Sequence, residues 1–376
     1  MLEENLDYQR KIKNYFEYVL TEGINISNND YIEIVTTSHI DNYLKILIEC
    51  LNKYNANIFI TFTDGKILEQ AINDDVNKYI RNKIDLYNDL IKHNFKRLTV
   101  ISPFVPPISR TDNVDTYIKE SNKFMFIREY FLNNPHTIFA IPNDYWAKIL
   151  RIEEKELWDK IFEMSYSTSQ LEYFKEELSN LKLKALHFKT SLGTDLYVGL
   201  TKDFEFLGNT WKSLDNISYK PNIPCLEIFT SPNKYLVDGK LVSSKPLYYK
   251  NRMVYYYEIE FKDGKIISER GLEEILSLDE NLYYTGEIAL VLNYDNFLYL
   301  ATLLDENTGC HLALGNSYKD GIKEQYLINN SKYHIDLVFG TDDLICEGIT
   351  YDGRIIKIIE NNKLVFGGNN EGNIRS

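Results

Sequence analysis

The sequence predicts two domains of different class. Residues 1–180 read as an α/β domain with a parallel, flavodoxin-like sheet that closes on a helical connector, and residues 181–376 as an α+β domain with a largely antiparallel sheet. Three observations lead there. Strand-like and helix-like periodicities alternate through the first half, the pattern of a parallel sheet covered by helices. From Glu153 to about Leu181 the chain is charged and helical. Beyond it, short alternating runs are separated by Asp-Gly dipeptides and helical periodicity is sparse, which is how antiparallel hairpins read.

The first strand is Tyr31–Thr36 (YIEIVT), followed by apolar side chains at Ile40, Tyr43, Leu44, Leu47, Ile48 and Leu51, spaced for one helix face. NIFITF, Asn57–Phe62, is a second strand ending at Thr63-Asp64-Gly65, and Val76, Ile80, Ile84, Tyr87 and Ile91 stripe a second helix. Leu98–Pro103 is a third strand closed by a proline-rich turn, and Thr137–Pro142 a fourth. No G-x-G-x-x-G follows the first strand, so this sheet does not imply a dinucleotide. In the connector, Trp158 and Phe162 stand at i and i+4 and read as a packing stripe. In the second half, Asp238-Gly239, Asp263-Gly264 and Asp352-Gly353 each sit between alternating segments and read as hairpin turns.

The formal net charge of −13, with no basic cluster standing out, argues against nucleic acid or an anionic membrane as a partner. Cys50, Cys225, Cys310 and Cys346 are widely spaced with no CxxC pair, so neither a disulfide framework nor a thiolate zinc site is expected, and a reduced cytoplasm fits. The charged stretch MLEENLDYQRKIKNYF has no apolar core of a secretory signal, and no run of 18 apolar residues is present.

Four polar clusters in the second half carry the candidate chemistry. In LLDENTGCHLALGNSY, Leu303–Tyr318, a helix over Cys310–Tyr318 would put His311, Gly315 and Tyr318 on one stripe at i, i+4 and i+7, the glycine leaving a gap for a metal ion or substrate. Taken alone, His311 reads equally as a core histidine and Gly315 as a helix break. His334 and Asp336 alternate on a strand and so share a face, a compact N,O chelate or an ordinary ion pair. Glu227 is the one acid in NIPCLEIFTSP, and Glu287 opens the apolar run of YYTGEIALVL; each alone also reads as a strand-end residue turned to solvent. It is the set that argues for metal. Two glutamates, an aspartate, two histidines and a tyrosine offer only nitrogen and oxygen, which suits Zn, Co or Mn, and they exceed the needs of one tetrahedral ion. They suffice for two ions about 4 Å apart.

The run DENTGCHLALGNSY resembles the signature of the thermophilic aminopeptidase family of metallopeptidases, to which aminopeptidases T and S belong. NIPCLEIFTSP, GEIALV, SKYHIDLVFG and GTDL at Gly193–Leu196 resemble it in the same order, and VLTEGINI, NIFITFTD, IPNDYWAKIL and LWDKIF extend the likeness more weakly over the first half. The resemblance implies that Glu227, Glu287, His311, Tyr318, His334 and Asp336 hold two divalent ions, which makes the second domain the catalytic one. It also implies a homodimer enclosing its sites in an inner cavity, and removal of N-terminal amino acids from peptides with broad preference. This chain departs from the family pattern at Cys225-Leu226, beside Glu227, and its segments between motifs are shorter.

The expected mechanism is attack of a metal-activated water on a peptide carbonyl, with the substrate's free α-amine held at one ion. Glu227 or Glu287 carries the proton to the leaving amine, and Tyr318 ligates or donates to the oxyanion. Asp305 and Glu306 either orient His311 or serve as first-turn acids of the next helix, and Cys310 reads as a buried small hydrophobe. Two other classes remain open at this stage: a dipeptidase or deacylase using the same ions, and a non-catalytic metal-binding, peptide-binding module.

Overall fold

The computed structural model describes residues 2–63, 65–73, 75–103, 112–166, 171–249, 252–291, 294–319 and 322–365. Asp64 and the proline-rich turn after Pro103 lie outside them. The chain divides into two compact units, residues 1–166 with 210–224 and residues 167–209 with 225–376.

Followed along the chain, the first unit opens with β1 (Tyr31–Thr36), β2 (Asn57–Phe62), β3 (Lys96–Ile101) and β4 (His136–Ala140). The chain enters the second unit for β5 (Leu183–Lys189) and β6 (Asp195–Gly199). It returns to the first for a small hairpin, β7 (Trp211–Lys212) and β8 (Ser218–Tyr219), and for β9 (Asn222–Ile223). The second unit then takes β10 (Glu227–Thr230), β11 (Val237–Val242), β12 (Leu247–Tyr249), β13 (Arg252–Val254), β14 (Glu258–Lys262), β15 (Lys265–Arg270) and β16 (Thr285–Val291). It ends with β17 (His311–Gly315), β18 (His334–Val338), β19 (Ile345–Thr350), β20 (Ile355–Glu360) and β21 (Lys363–Leu364).

In the first unit a five-stranded sheet has the order β2-β1-β3-β4-β9, every pair parallel. That is the flavodoxin-like order 2-1-3-4-5 expected from the alternation of elements, with the fifth strand supplied by the returning segment. The helix Asp41–Asn52 buries Leu44, Leu47 and Leu51, and the helix Val76–Lys92, capped by Asp75 on the Lys78 N–H at 2.9 Å, buries Ile80, Tyr87 and Leu90. Trp158 packs against Phe162 with ring centroids 5.2 Å apart and planes tilted by 30°, as their spacing predicts. Glu33 breaks the apolar run of β1, and its buried carboxylate is fully partnered. Arg97 contacts its Oε2 at 2.7 and 2.8 Å, and Thr61 and Tyr87 donate to Oε1.

The second unit is antiparallel, as expected. An eight-stranded sheet runs β15-β14-β11-β6-β5-β19-β20-β21, and a four-stranded sheet runs β10-β16-β17-β18. One core joins them, with Leu186, Phe188, Val198 and Leu241 from the larger sheet and Ile228, Leu290, Leu312 and Leu337 from the smaller. The turns at Asp263-Gly264 and Asp352-Gly353 join β14 to β15 and β19 to β20.

Two expectations are corrected. Asp238-Gly239 is not a turn but lies inside β11. Gly239 has φ +104°, and a Cβ there would stand 2.2 Å from the Asp195 carbonyl oxygen, so glycine serves the close approach of β6. The segment from Cys310 is not a helix either: His311–Gly315 is strand β17, paired between β16 and β18 and buried at all five positions. A short strand covered on both faces loses the polar alternation that would mark its period, and His311, Gly315 and Tyr318 fit a helical stripe by coincidence.

Candidate metal centre

The four-stranded sheet sorts its side chains into two faces. Successive residues of a strand point to opposite sides, and directly paired residues of antiparallel neighbours point to the same side. His311 pairs with Ala289, Ala313 with both Glu287 and Asp336, Gly315 with His334, and Glu227 with Val291. Five of the six proposed ligands, all but Tyr318, therefore share one face. On the other face Ile228, Ile288, Leu290, Leu312, Leu314, Ile335 and Leu337 enter the core. At the centre of the polar face β17 carries only Ala313 and Gly315 after His311, which leaves room above the sheet. Gly315 is required by the backbone: at φ +95° its Cβ would lie 2.3 Å from the Tyr333 carbonyl oxygen.

The ligand atoms form two groups, each with all its atoms within 4.8 Å of one another: Glu227, Glu287 and His311, and Glu287, His334 and Asp336. His311 Nε2 lies 3.1 Å from Glu227 Oε2 and 3.5 Å from Glu287 Oε1. His334 Nε2 lies 3.3 Å from Glu287 Oε2 and 3.1 Å from Asp336 Oδ1. Glu287 thus belongs to both groups.

The other ring nitrogens decide what the centre can hold. His311 Nδ1 faces the Gly309 carbonyl at 3.3 Å and His334 Nδ1 faces the Asn316 carbonyl at 2.8 Å. A carbonyl only accepts, so each Nδ1 carries the proton, and each Nε2 turns its lone pair towards carboxylate oxygens. Acceptors facing acceptors need a positive charge between them. Glu227 Oε2 makes the same demand, since it is buried and takes no hydrogen bond. A divalent cation with N,O ligands meets it.

Without a metal, protons fill the gap. Burial pulls the imidazoles of His311 and His334 down, but the carboxylates beside them outweigh it and hold both well above the usual histidine range. Burial likewise pushes Asp336 up, and His334 more than offsets it, holding the carboxyl at about 2. Glu287 is lowered, as its two imidazoles overcome burial, whereas Glu227 is raised because burial wins over its single imidazole.

Tyr318 follows β17. Its N–H donates to Ser231 Oγ at 2.9 Å, and its ring packs edge-on to His334, centroids 5.7 Å apart, and against Phe229 at 4.9 Å. Burial, reinforced by Glu287 and Asp336, pushes its phenol well above the ordinary value. Cys310 lies on the core side of β17, where its Sγ accepts the Val291 N–H, as expected of a small hydrophobe.

Asp305 and Glu306 part company. Asp305 accepts the N–H groups of Tyr299 and Ala301 at 2.8 and 3.0 Å; it ties down the loop before the helix Thr302–Glu306. Glu306 lies beside Asp336, and burial with the fields of Asp336 and Glu227 drives its carboxyl well above the usual range. Cys225 Sγ stands 4.0 Å from Glu227 Oε1, so the departure from the family pattern puts a thiol against a proposed ligand. Nothing local in the sequence distinguishes Glu306 from Asp305.

The profile of the family described as thermophilic metalloprotease (M29) matches residues 8–363. The chain belongs to that family. It is a hydrolase of peptide bonds, as its motifs imply. The metalloprotease is 24% identical to aminopeptidase AmpS of Bacillus subtilis over 96% of its own length and 99% of the relative's. It is 29% identical to aminopeptidase 2 of Geobacillus stearothermophilus over 62% and 66%. The solved structure of wild-type AmpT from Thermus thermophilus superposes with a TM-score of 0.83, covering 95% of this chain and 100% of that one, at 22% identity. A 2,5-dihydroxypyridine dioxygenase from Pseudomonas putida, at TM-score 0.54 and 12% identity over 95% and 98%, shares the fold as well. The fold alone therefore does not name the chemistry.

Proposed function

We propose that this metalloprotease is an aminopeptidase that releases N-terminal amino acids from peptides, using two divalent cations held on the polar face of the four-stranded sheet. The observation that carries the reading is the placement of Glu287. Its two oxygens face different imidazoles, so one carboxylate serves Glu227 and His311 on one side and His334 and Asp336 on the other. A structural zinc site is closed by four ligands; five with one shared suit two open positions. Relatives named aminopeptidases support the substrate class.

When bound, such a pair supplies the Lewis acidity that polarises a peptide carbonyl and acidifies a water towards neutral pH. The side chains do the rest. Both histidines present Nε2 because backbone carbonyls hold their Nδ1 protons. Glu227, Glu287 and Asp336 each face an imidazole, while Glu306 faces Asp336 and is the carboxyl left free to move a proton from water to the departing amine. Tyr318 keeps its phenolic proton and donates it as a hydrogen bond to the developing oxyanion beside His334. A homodimer working in the cytoplasm belongs to the same proposal and rests on the family resemblance.

The test is hydrolysis of aminoacyl anilides with free and acetylated N-termini, with metal content measured alongside. The wild type should cleave only the free substrate, and Glu287→Ala should lose both ions and activity while His334→Ala loses one ion. Full metal content and activity in Glu287→Ala sinks the proposal. Cleavage restricted to dipeptides, or equal cleavage of blocked substrates, replaces it with a dipeptidase or a deacylase.

A further inference from the structure

We infer that Asn307 is a positioning residue that sets the cation position between Glu227 and His311, an inference that rests on the metal-centre reading above. Glu227 opens β10, whose ladder pairing begins at Glu227 itself, so the sheet does not fix the residue before it. Asn307 does. Its Oδ1 accepts the N–H of Leu226, 81 residues away in sequence, and its Nδ2 donates to the Leu303 carbonyl at 2.8 Å. The side chain is wholly buried, and both ends of its amide are used. The peptide that delivers Glu227 to the polar face is therefore clamped to the helix Thr302–Glu306.

The clamp has a firm backing. Buried Lys245 donates from Nζ to the Phe297 carbonyl at 2.9 Å and to Thr308 Oγ1, and Thr308 Oγ1 donates to the Asp305 carbonyl at 2.7 Å. Two residues beyond Asn307, the Gly309 carbonyl takes the His311 Nδ1 proton. One short segment thus places the main chain before Glu227 and the ring of His311 together. The His334–Asp336 side is set mainly elsewhere, by the Asn316 carbonyl and the ladder of β18, with Glu306 of the clamped helix beside Asp336. Removing the Asn307 amide should therefore loosen one cation position and spare the other.

The experiment is calorimetric titration of the metal-free full chain with Zn²⁺, for the wild type, Asn307→Ala and Asn307→Asp, with thermal melts of each. The wild type should show two binding events. Asn307→Ala should weaken one by about 10–100-fold, the usual effect of removing a group that orients a ligand, and leave the other in place. Asn307→Asp keeps an acceptor for Leu226 and should retain both. A folded Asn307→Ala with both events unchanged, or both weakened alike, overturns the inference. Should the alanine variant not fold, loss of either event in folded Asn307→Asp overturns it, and retention of both supports it. A wild type that takes up no Zn²⁺ overturns the metal-centre reading itself, a result the variants cannot mimic.

Discussion

Glu306 and Asp305 are neighbours in sequence, yet each answers to a different environment. Glu306 reaches the acidic face and, in the proposed mechanism, moves a proton without holding a metal. Glu306→Gln should therefore keep both ions while kcat falls by about 10²–10⁴; loss of metal with activity in strict proportion would instead make Glu306 a ligand. Asp305 is buried among backbone N–H groups, and burial raises its carboxyl from 3.8 to about 6. A carboxyl raised on folding stabilises most when both states are protonated, and its contribution falls as pH climbs from the unfolded value through the folded one. The shift corresponds to about 3 kcal/mol lost between about pH 4 and pH 7. Asn at this position cannot ionise. Urea unfolding of wild type and Asp305→Asn should show the wild type's relative stability dropping by roughly that amount over this range, and a difference independent of pH would contradict the assignment.

At the scale of elements, the centre is a consequence of strand register. The sequence marked His334 and Asp336 as sharing a face because β18 keeps part of its alternation, and it marked Glu227 and Glu287 as lone acids in the apolar runs that became β10 and β16, both buried throughout. It misread β17, where five buried residues leave no polar alternation. Gly315 shows what replaced the helical reading: its hydrogen atom lets β17 lie beside β18 at the point where it pairs with His334. Gly315→Ala should destabilise the second unit by roughly 2 kcal/mol or more and weaken metal binding on the His334 side, checked by thermal melts and metal titration. An alanine variant as stable as the wild type would show that the strands can part without cost.

At the scale of the whole molecule, every proposed ligand belongs to the second unit, while Trp146, Trp158 and Trp211 belong to the first. A cation that binds only the folded unit stabilises it by about 2.7 kcal/mol at 100 times its dissociation constant. Adding metal should therefore move the calorimetric transition of the second unit more than the melt followed by tryptophan fluorescence. Equal shifts by both probes would mean that the two units unfold as one. Among the described residues no helix is long and apolar enough to cross a membrane.

The sequence by itself determined the two classes of sheet and four of the five strands of the parallel one, and it supplied the motifs from which the metal ligands are proposed, because period and motif are local properties that survive without a structure. Only the tertiary structure decided that β17 is a strand, that Glu287 stands between two imidazoles, and that Glu306 meets Asp336 while Asn307 holds Leu226. Those facts are contacts between residues far apart in the chain, and a hydrogen bond spanning 81 residues leaves no trace in the local pattern of either partner.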